Sequence, residues 1–160
     1  NSSKGYDIFG KSVLKILDNY KDWKAVVIGD EPREKILFRH KRLNILGFLD
    51  HKKVSNWFIK SEIAVVCSKW QEPFGRTALE ATSAGCAVII TNRGGLPEAA
   101  PNAIKINNLN VNSVKLAIEN LIKNKNFRNK LQKKSFKSFY LTNILISKKI
   151  DKYRSELIKS

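Results

Sequence analysis

The hydrophobic positions along the chain change period repeatedly between that of a helix and that of a strand. From residue 6 to residue 20, apolar side chains recur every three or four positions, which places them on one face of a helix. Two short apolar runs follow, at residues 23–28 and 43–46, and a glycine closes each of them. The pattern therefore predicts a helix and then an alternation of strands and helices.

Two later runs, residues 63–67 (IAVVC) and 87–91 (AVIIT), contain no alternating polar position inside the strand. Strands of this kind are covered on both faces, as in a parallel sheet. A further short strand is predicted at residues 103–106. Helices are predicted at residues 32–40 with Pro32 at the start, 54–60, 75–84, 111–123, 126–139 and 143–158, the last with Thr142 as its N-cap. The fold class is α/β, a doubly wound parallel sheet of Rossmann-like type with additional C-terminal helices.

Length and composition fit one domain with a short tail. The chain has 160 residues, and its hydrophobic content of 42% suffices for a core. We expect a domain over residues 1–140 and a tail helix over residues 141–160, which packs on this domain or on one outside the chain. The sequence contains no methionine and enters a helical pattern at once, so we expect a piece of a longer protein. No apolar run is long enough for a membrane span and no signal-peptide pattern is present, so a cytoplasmic location is expected.

The charge of the chain by itself does not indicate one function. A formal charge of +16 would suit nucleic acid, an anionic membrane surface or a phosphorylated substrate. Lysine is spread throughout, however, which indicates a compositional bias over a solvated surface. Cys67 and Cys86 lie in apolar runs without nearby metal-ligand spacing, which favours buried, reduced thiols over a metal site or a disulfide.

The segment between the strand at residues 63–67 and the next helix is the main site candidate, because open α/β sheets bind ligands beyond the carboxyl ends of their strands. A helix that starts at Gly75 and Arg76 presents unpaired N–H groups and a positive dipole end to a diphosphate. Glu72 precedes this start, and Glu80 lies one turn beyond Arg76. Taken singly, either glutamate could be a solvated charge. Together they would flank the phosphate and bind hydroxyl groups, which favours a nucleotide sugar as the ligand.

Several motifs resemble the family-four retaining glycosyltransferases of GT-B architecture. EPFGRTALE, residues 72–80, resembles their E-x7-E motif, and AGCAVIITNRGGLPE, residues 84–98, is similar to their A-G-x-P-V run and G-G-x-x-E loop. Cys86 and Ala87 depart from the usual small residue and proline. Lys4 and Gly5 are similar to the end of the R-x4-K segment, whose arginine would fall before residue 1. The resemblance extends from residue 4 to about residue 125.

The resemblance implies the C-terminal, donor-binding half of an enzyme that transfers a sugar from a nucleotide diphosphate sugar to a glycan or a lipid-linked acceptor. An N-terminal domain would bind the acceptor, so we expect the chain to be inactive alone. The implied catalytic residue is Glu72, on the transferred sugar. The implied donor-binding groups are the Glu80 carboxylate on the ribose, the backbone N–H groups of Phe74, Gly75 and Arg76 on the diphosphate, the charge of Lys4, and the backbone of Leu49 at the base. No cofactor and no metal is expected.

Simpler interpretations of individual residues stay open at this point. Lys4 and Arg76 could be solvated charges at helix starts, and Gly94 and Gly95 could form only a turn with positive φ. His40 and His51 are expected to be exposed, and no catalytic histidine is predicted.

Two other functions are alternatives to the glycosyltransferase. A nucleotide-sugar epimerase-like GT-B enzyme would use a similar cleft but should lack EPFGRTALE. A basic nucleic-acid-binding module would need exposed aromatics among its basic residues, whereas most aromatics here fall at core-like positions, so no nucleic-acid partner is expected. The lysines and apolar residues of the tail leave peripheral contact with the inner face of a membrane as an alternative to packing on a domain.

Overall fold

The computed structural model describes residues 1–29, 31, 34, 36–137, 139 and 142–159. Helices and strands largely alternate along the chain. They are α1 (Tyr6–Asn19), β1 (Ala25–Val27), β2 (Leu43–Ile45), α2 (His51–Lys60), β3 (Ile63–Val66), α3 (Arg76–Ser83), β4 (Ala87–Thr91), α4 (Leu96–Ala99), β5 (Ile104–Ile106), α5 (Val111–Lys123), α6 (Lys125–Lys137) and α7 (Asn143–Lys159).

The strands pair in parallel, with β1 beside β2 and with β4 between β3 and β5. Every residue of β4 is buried, and its side chains alternate between two cores. Val88 and Ile90 pack with side chains of α3 and α4, whereas Ala87 and Ile89 pack with side chains of α1 and α5. Helices thus cover both faces of the sheet, which confirms the prediction of a doubly wound parallel α/β fold.

Helix α1 joins the two groups of strands. Val13 and Leu17 pack against Leu43 of β2, while Ile16 belongs to the core on β4 and β5. Three neighbouring apolar positions of one helix therefore serve two cores, as the helical spacing of the sequence predicts.

Arg128 attaches α6 to neighbouring elements, and its charged side chain is almost fully buried. Its Nε donates to Glu62 Oε2 at 2.5 Å, and its Nη1 donates to the Leu121 carbonyl at 2.6 Å, near the end of α5. The guanidinium also lies over the Trp23 ring, 5.2 Å from the centroid. These partners compensate the desolvation of the charge, and they join α6 to the last turns of α5 and to Glu62, which directly precedes β3.

The region after β1 differs from the sequence prediction. Pro32, the expected start of a helix over residues 32–40, lies outside the described residues, and residues 36–40 are not helical. Phe38 instead packs edge-on against Tyr6, with ring centroids 5.3 Å apart, and it covers Gly10 so closely that an added Cβ would lie 2.1 Å from its ring. Tertiary packing of this aromatic side chain overrides the local helical pattern.

Two other helices also differ from the prediction. Helix α2 starts three residues earlier than expected, because the Asp50 side chain accepts a hydrogen bond from the Lys53 N–H at 2.9 Å and caps it. Hydrogen bonds from the Lys53 backbone and side chain lower the pKa of Asp50. Helix α4 is only four residues long and was missed, since so short a segment carries no periodic signal.

Helix α7 begins where the sequence predicts. The Thr142 hydroxyl accepts a hydrogen bond from the Leu145 N–H at 3.3 Å, which confirms Thr142 as the N-cap. This helix exposes its large apolar side chains to solvent. These side chains belong to Ile144, Leu145, Ile146, Ile150, Tyr153, Leu157 and Ile158. Within the described part of the chain, no helix has the length and apolar character needed to cross a membrane.

Both cysteines are free and buried, as predicted. Cys67 Sγ lies 3.4 Å from the Gly5 carbonyl oxygen, and Cys86 Sγ lies 3.2 Å from that of Phe58. Burial raises the pKa of each thiol to about 11, so both stay protonated at neutral pH.

Residues 1–5 lie against the end of β3. The Lys69 N–H donates to the Ser3 carbonyl at 2.9 Å. Gly5 precedes α1 with φ +74°, and a Cβ added there would lie 2.0 Å from the Cys67 carbonyl oxygen. This close approach admits only glycine, and it fixes the position of Lys4.

We predict that Gly5→Ala destabilises the chain more than Gly47→Ala does. Gly47 also has a positive φ, +64°, but an added Cβ would meet nothing within 4 Å. Gly47→Ala should therefore cost only the left-handed conformation, about 1–2 kcal/mol of unfolding free energy. Gly5→Ala adds a collision with the backbone of Cys67. Denaturant unfolding of both variants measures the difference, and equal losses would show that the close approach is unimportant.

Candidate functional site

The loop from β3 to α3 ends at Gly75, which adopts the left-handed conformation with φ +82° directly before the helix. An added Cβ would lie 2.9 Å from Leu96 Cδ2 of α4, so the position is closed to larger residues. The N-cap residue is Gly75, which has no side chain to cap the helix, and no side-chain cap is found among the described residues. The first N–H groups of α3 and the positive end of its dipole are therefore available to an anion.

Glu72 lies in this loop and forms an ion pair with Lys4, whose Nζ donates to Glu72 Oε1. The Glu72 side chain is only 14% exposed. The two residues are 68 positions apart in sequence, and the docking of residues 1–5 on β3 brings them together. The structure therefore brings Lys4 and Glu72, two of the predicted site residues, together, and the partner of Lys4 is the carboxylate of Glu72.

Gly94 and Gly95 support the loop that carries Glu72. The Gly95 N–H donates to the Glu72 carbonyl at 2.6 Å, and the Gly94 N–H donates to Gln71 Oε1 at 2.7 Å. A Cβ added to Gly94 would lie 2.2 Å from the Glu72 carbonyl oxygen, and one added to Gly95 would lie 2.8 Å from that of Pro73. Gly94 does have a positive φ, +52°. The glycine pair is therefore a backbone platform for Glu72, a role that sequence analysis missed.

Glu80 lies on α3, one turn after Arg76, and its side chain is 26% exposed. Its Oε1 lies 3.8 Å from Arg76 Nη2 and 3.4 Å from His51 Nε2. The Arg76 side chain is 78% exposed. His51 is exposed as expected, whereas the His40 side chain, which was also expected to be exposed, is only 14% exposed. The position of His51 beside Glu80 was not predicted. The signal available in the sequence was Asp50, whose capping role places His51 at the first position of α2.

Leu49 and Phe74 complete the set of predicted positions. Leu49 is half-buried in the loop before α2, and Phe74 is exposed directly before Gly75. Two further exposed aromatic side chains, Phe48 and Trp70, lie in the loops that follow β2 and β3. Most of the predicted residues therefore lie in the loops that follow the strands. The exceptions are Lys4, which lies directly before α1, and Arg76 and Glu80, which lie on α3.

The described residues contain no cluster of potential metal ligands. No group of three or more histidine, cysteine, aspartate or glutamate side chains could hold an ion there.

Similarity to known proteins points to one family. The family model for glycosyl transferases group 1 matches residues 1–138. The GPI3 subunit of phosphatidylinositol N-acetylglucosaminyltransferase of Saccharomyces cerevisiae is 29% identical over 111 residues, which cover 65% of this chain and 24% of that protein. The chain therefore spans about a quarter of the length of this curated relative.

Solved structures agree with this match. The C-terminal domain of LpcC, a group 1 glycosyl transferase of Francisella tularensis, superposes with a TM-score of 0.74 at 26% identity, over 86% of this chain and 78% of that one. Anabaena HepE in complex with UDP-glucose gives a TM-score of 0.76 at 18% identity, over 98% of this chain and 46% of that one, and shows the fold alone. The chain belongs to the glycosyl transferases group 1 family, and it has the fold of the C-terminal domain of a member of that family.

Proposed function

We propose that the chain is the donor-binding domain of a retaining glycosyltransferase, which takes a sugar from a nucleoside diphosphate sugar and passes it to a glycan or a lipid-linked acceptor. The observation that carries the proposal is the pair Glu72 and Glu80 on either side of the uncapped α3 start at Gly75, with Lys4 held at Glu72. Two acceptors of hydroxyl hydrogen bonds around one anion site match a ligand that has polyols on both sides of a diphosphate. The UDP-glucose bound to HepE makes UDP the first probe.

Each part of the donor has a group assigned to it. The diphosphate lies on the N–H groups of Phe74, Gly75 and Arg76, where backbone donors and the helix dipole favour negative charge. The Glu80 carboxylate binds the ribose hydroxyls. The Leu49 backbone is assigned to the base, as the resemblance to the family implies. Its loop leads into α2, whose first residue, His51, lies beside Glu80.

Glu72 binds the hydroxyls of the transferred sugar. Its carboxylate is largely buried and paired with Lys4, which makes it a fixed hydrogen-bond acceptor rather than a nucleophile. The reaction breaks the bond between the anomeric carbon and the diphosphate oxygen. The acceptor hydroxyl oxygen forms the new bond on the same face, and its proton passes to the leaving diphosphate oxygen. The α3 dipole and the Lys4 ammonium stabilise the charge on the leaving diphosphate, and the proposal involves no metal.

Neither an epimerase nor a nucleic-acid-binding module has support from the family match. We place the domain in the cytoplasm, where nucleotide sugars are supplied, with peripheral contact to the inner face of a membrane as the alternative. Its acceptor would be bound by another domain, since relatives such as the yeast protein are about four times as long as the matched segment.

The assigned carboxylates predict different losses in binding. Glu80→Gln should weaken UDP and UDP-glucose alike by about 1.5–3 kcal/mol, because both ligands have the ribose. Glu72→Gln should weaken only UDP-glucose, because UDP lacks the sugar. Isothermal titration calorimetry measures both, with Glu156→Gln on exposed α7 as the control. If Glu72→Gln weakened the two ligands equally, the assignment of Glu72 to the sugar would be wrong.

The chain alone should bind a nucleotide sugar without transferring it. Acceptor binding and exclusion of water require a second domain to close over the donor. The measurement follows transfer and hydrolysis of UDP-glucose together, with UDP binding as the control for a folded domain. Sustained transfer by the 160-residue chain would contradict the two-domain account.

The exposed apolar side chains of α7 need a covering surface, and we infer that another protein domain supplies it rather than a membrane. Its apolar residues Ile146, Ile150, Tyr153 and Leu157 form one narrow stripe. Asp151 and Glu156 interrupt the basic residues of the helix, so α7 is not the uniformly cationic surface that an anionic membrane favours.

We therefore expect the chain not to sediment with anionic vesicles at physiological ionic strength. Any sedimentation at low salt should disappear as salt is added. Diffuse lysine contacts weaken steeply as the Debye length falls to about 8 Å at physiological ionic strength. Truncation after Tyr140 is the matched variant. Sedimentation that survives physiological salt and disappears on truncation would assign α7 to the membrane instead.

A further inference from the structure

A groove runs between α2, α3 and α6, beside the proposed nucleotide site. It encloses a cavity of about 440 Å³. Its lining residues are His51, Ser55, Ile59, Glu80, Ser83, Ala84 and Phe136. The Glu80 side chain therefore lies between a residue of its own helix, α3, and the first turn of α2.

The start of α2 is a firm support for His51. The Asp50 side chain accepts from the Lys53 N–H at 2.9 Å and forms an ion pair with the Lys53 ammonium at 3.0 Å, while the Val54 N–H donates to the Asp50 carbonyl at 3.0 Å. The Ser55 hydroxyl donates to the His51 carbonyl at 2.9 Å. The backbone that carries the imidazole is thus held by the cap, even though the His51 side chain itself is 69% exposed.

Both described contacts of the Glu80 carboxylate involve the same oxygen. His51 Nε2 lies 3.4 Å from Oε1, and Arg76 Nη2 lies 3.8 Å from it. Arginine loses more rotamer freedom than histidine when it is held in one place, and the Arg76 side chain is largely exposed. His51 is therefore the better-defined neighbour of Oε1. At 3.4 Å the contact is longer than a normal N–H···O hydrogen bond, and a shift of the exposed imidazole would let an N–H on Nε2 donate to this oxygen.

We propose that His51 is a positioning residue, which holds Oε1 of Glu80 so that Oε2 faces the ribose hydroxyls of the donor. The inference rests on the proposed function, in which Glu80 binds the ribose. His51 acts through Glu80 and touches neither the sugar nor the diphosphate. The contribution is expected to be modest, because the pair is partly solvated.

The experiment is a double-mutant cycle read by calorimetry with two probes, UDP and 2′,3′-dideoxy-UDP, which has no ribose hydroxyls. His51→Ala should weaken UDP about threefold to fivefold and leave dideoxy-UDP unchanged. In the Glu80→Gln background, His51→Ala should cause no further loss. His51→Gln keeps an N–H donor and should recover most of the affinity for UDP.

Lys52→Ala is the matched control. Lys52 is the next residue of α2, it is exposed, and its replacement also removes a basic side chain. This variant should bind UDP as the parent chain does, and thermal unfolding of each variant reports whether the fold is intact.

The outcomes separate the inference from the function on which it rests. An unchanged UDP affinity in Glu80→Gln would overturn both the ribose assignment and the role of His51. A loss in Glu80→Gln without a loss in His51→Ala would overturn only the positioning role. A loss in His51→Ala that persists with dideoxy-UDP, or in the Glu80→Gln background, would show that His51 contacts the nucleotide directly, which also contradicts positioning through Glu80.

Discussion

The contact of Gly5 with the backbone of Cys67 is the constraint on which the rest of the site depends. It joins the start of α1 to the end of β3 with no room for a side chain, and it brings Lys4 to Glu72. A second contact of the same kind joins Gly94 to the backbone of Glu72 from the other side. The two glycine contacts therefore fix the backbone from Cys67 to Glu72, and the Lys4 side chain holds the Glu72 carboxylate.

This arrangement explains why a strongly basic chain keeps carboxylates at its main ligand site. Backbone N–H groups at the α3 start can bind a diphosphate without a cluster of lysines. The carboxylates then serve the hydroxyl groups on either side of the phosphates. Each lies beside basic side chains, Lys4 for Glu72 and the pair Arg76 and His51 for Glu80, which orient it. The remaining positive charge is spread along the surface and along α7.

The sequence predicted those features that depend on neighbouring residues. The buried strands β3 and β4 could be recognised from their unbroken apolar runs, and the Glu72, Gly75 and Glu80 constellation lies within nine consecutive residues. Three contacts join elements that are distant in sequence, so the local sequence pattern does not predict them. They are the contacts of Lys4 with Glu72, of Gly94 with the Glu72 loop and of His51 with Glu80. The helix expected over residues 32–40 was wrong over residues 36–40 for the same reason, because packing of Phe38 on Tyr6 and Gly10 sets the backbone there. Helix α4 is too short for any period to show.

The most direct test of the account is a crystal structure of the chain with UDP-glucose bound. The account predicts that diphosphate oxygens lie about 3 Å from the N–H nitrogens at the Gly75 and Arg76 helix start. It also predicts ribose hydroxyls on Glu80 and glucose hydroxyls on Glu72. A nucleotide bound away from the α3 start, or one whose ribose lies on Glu72 and whose sugar lies on Glu80, would contradict it.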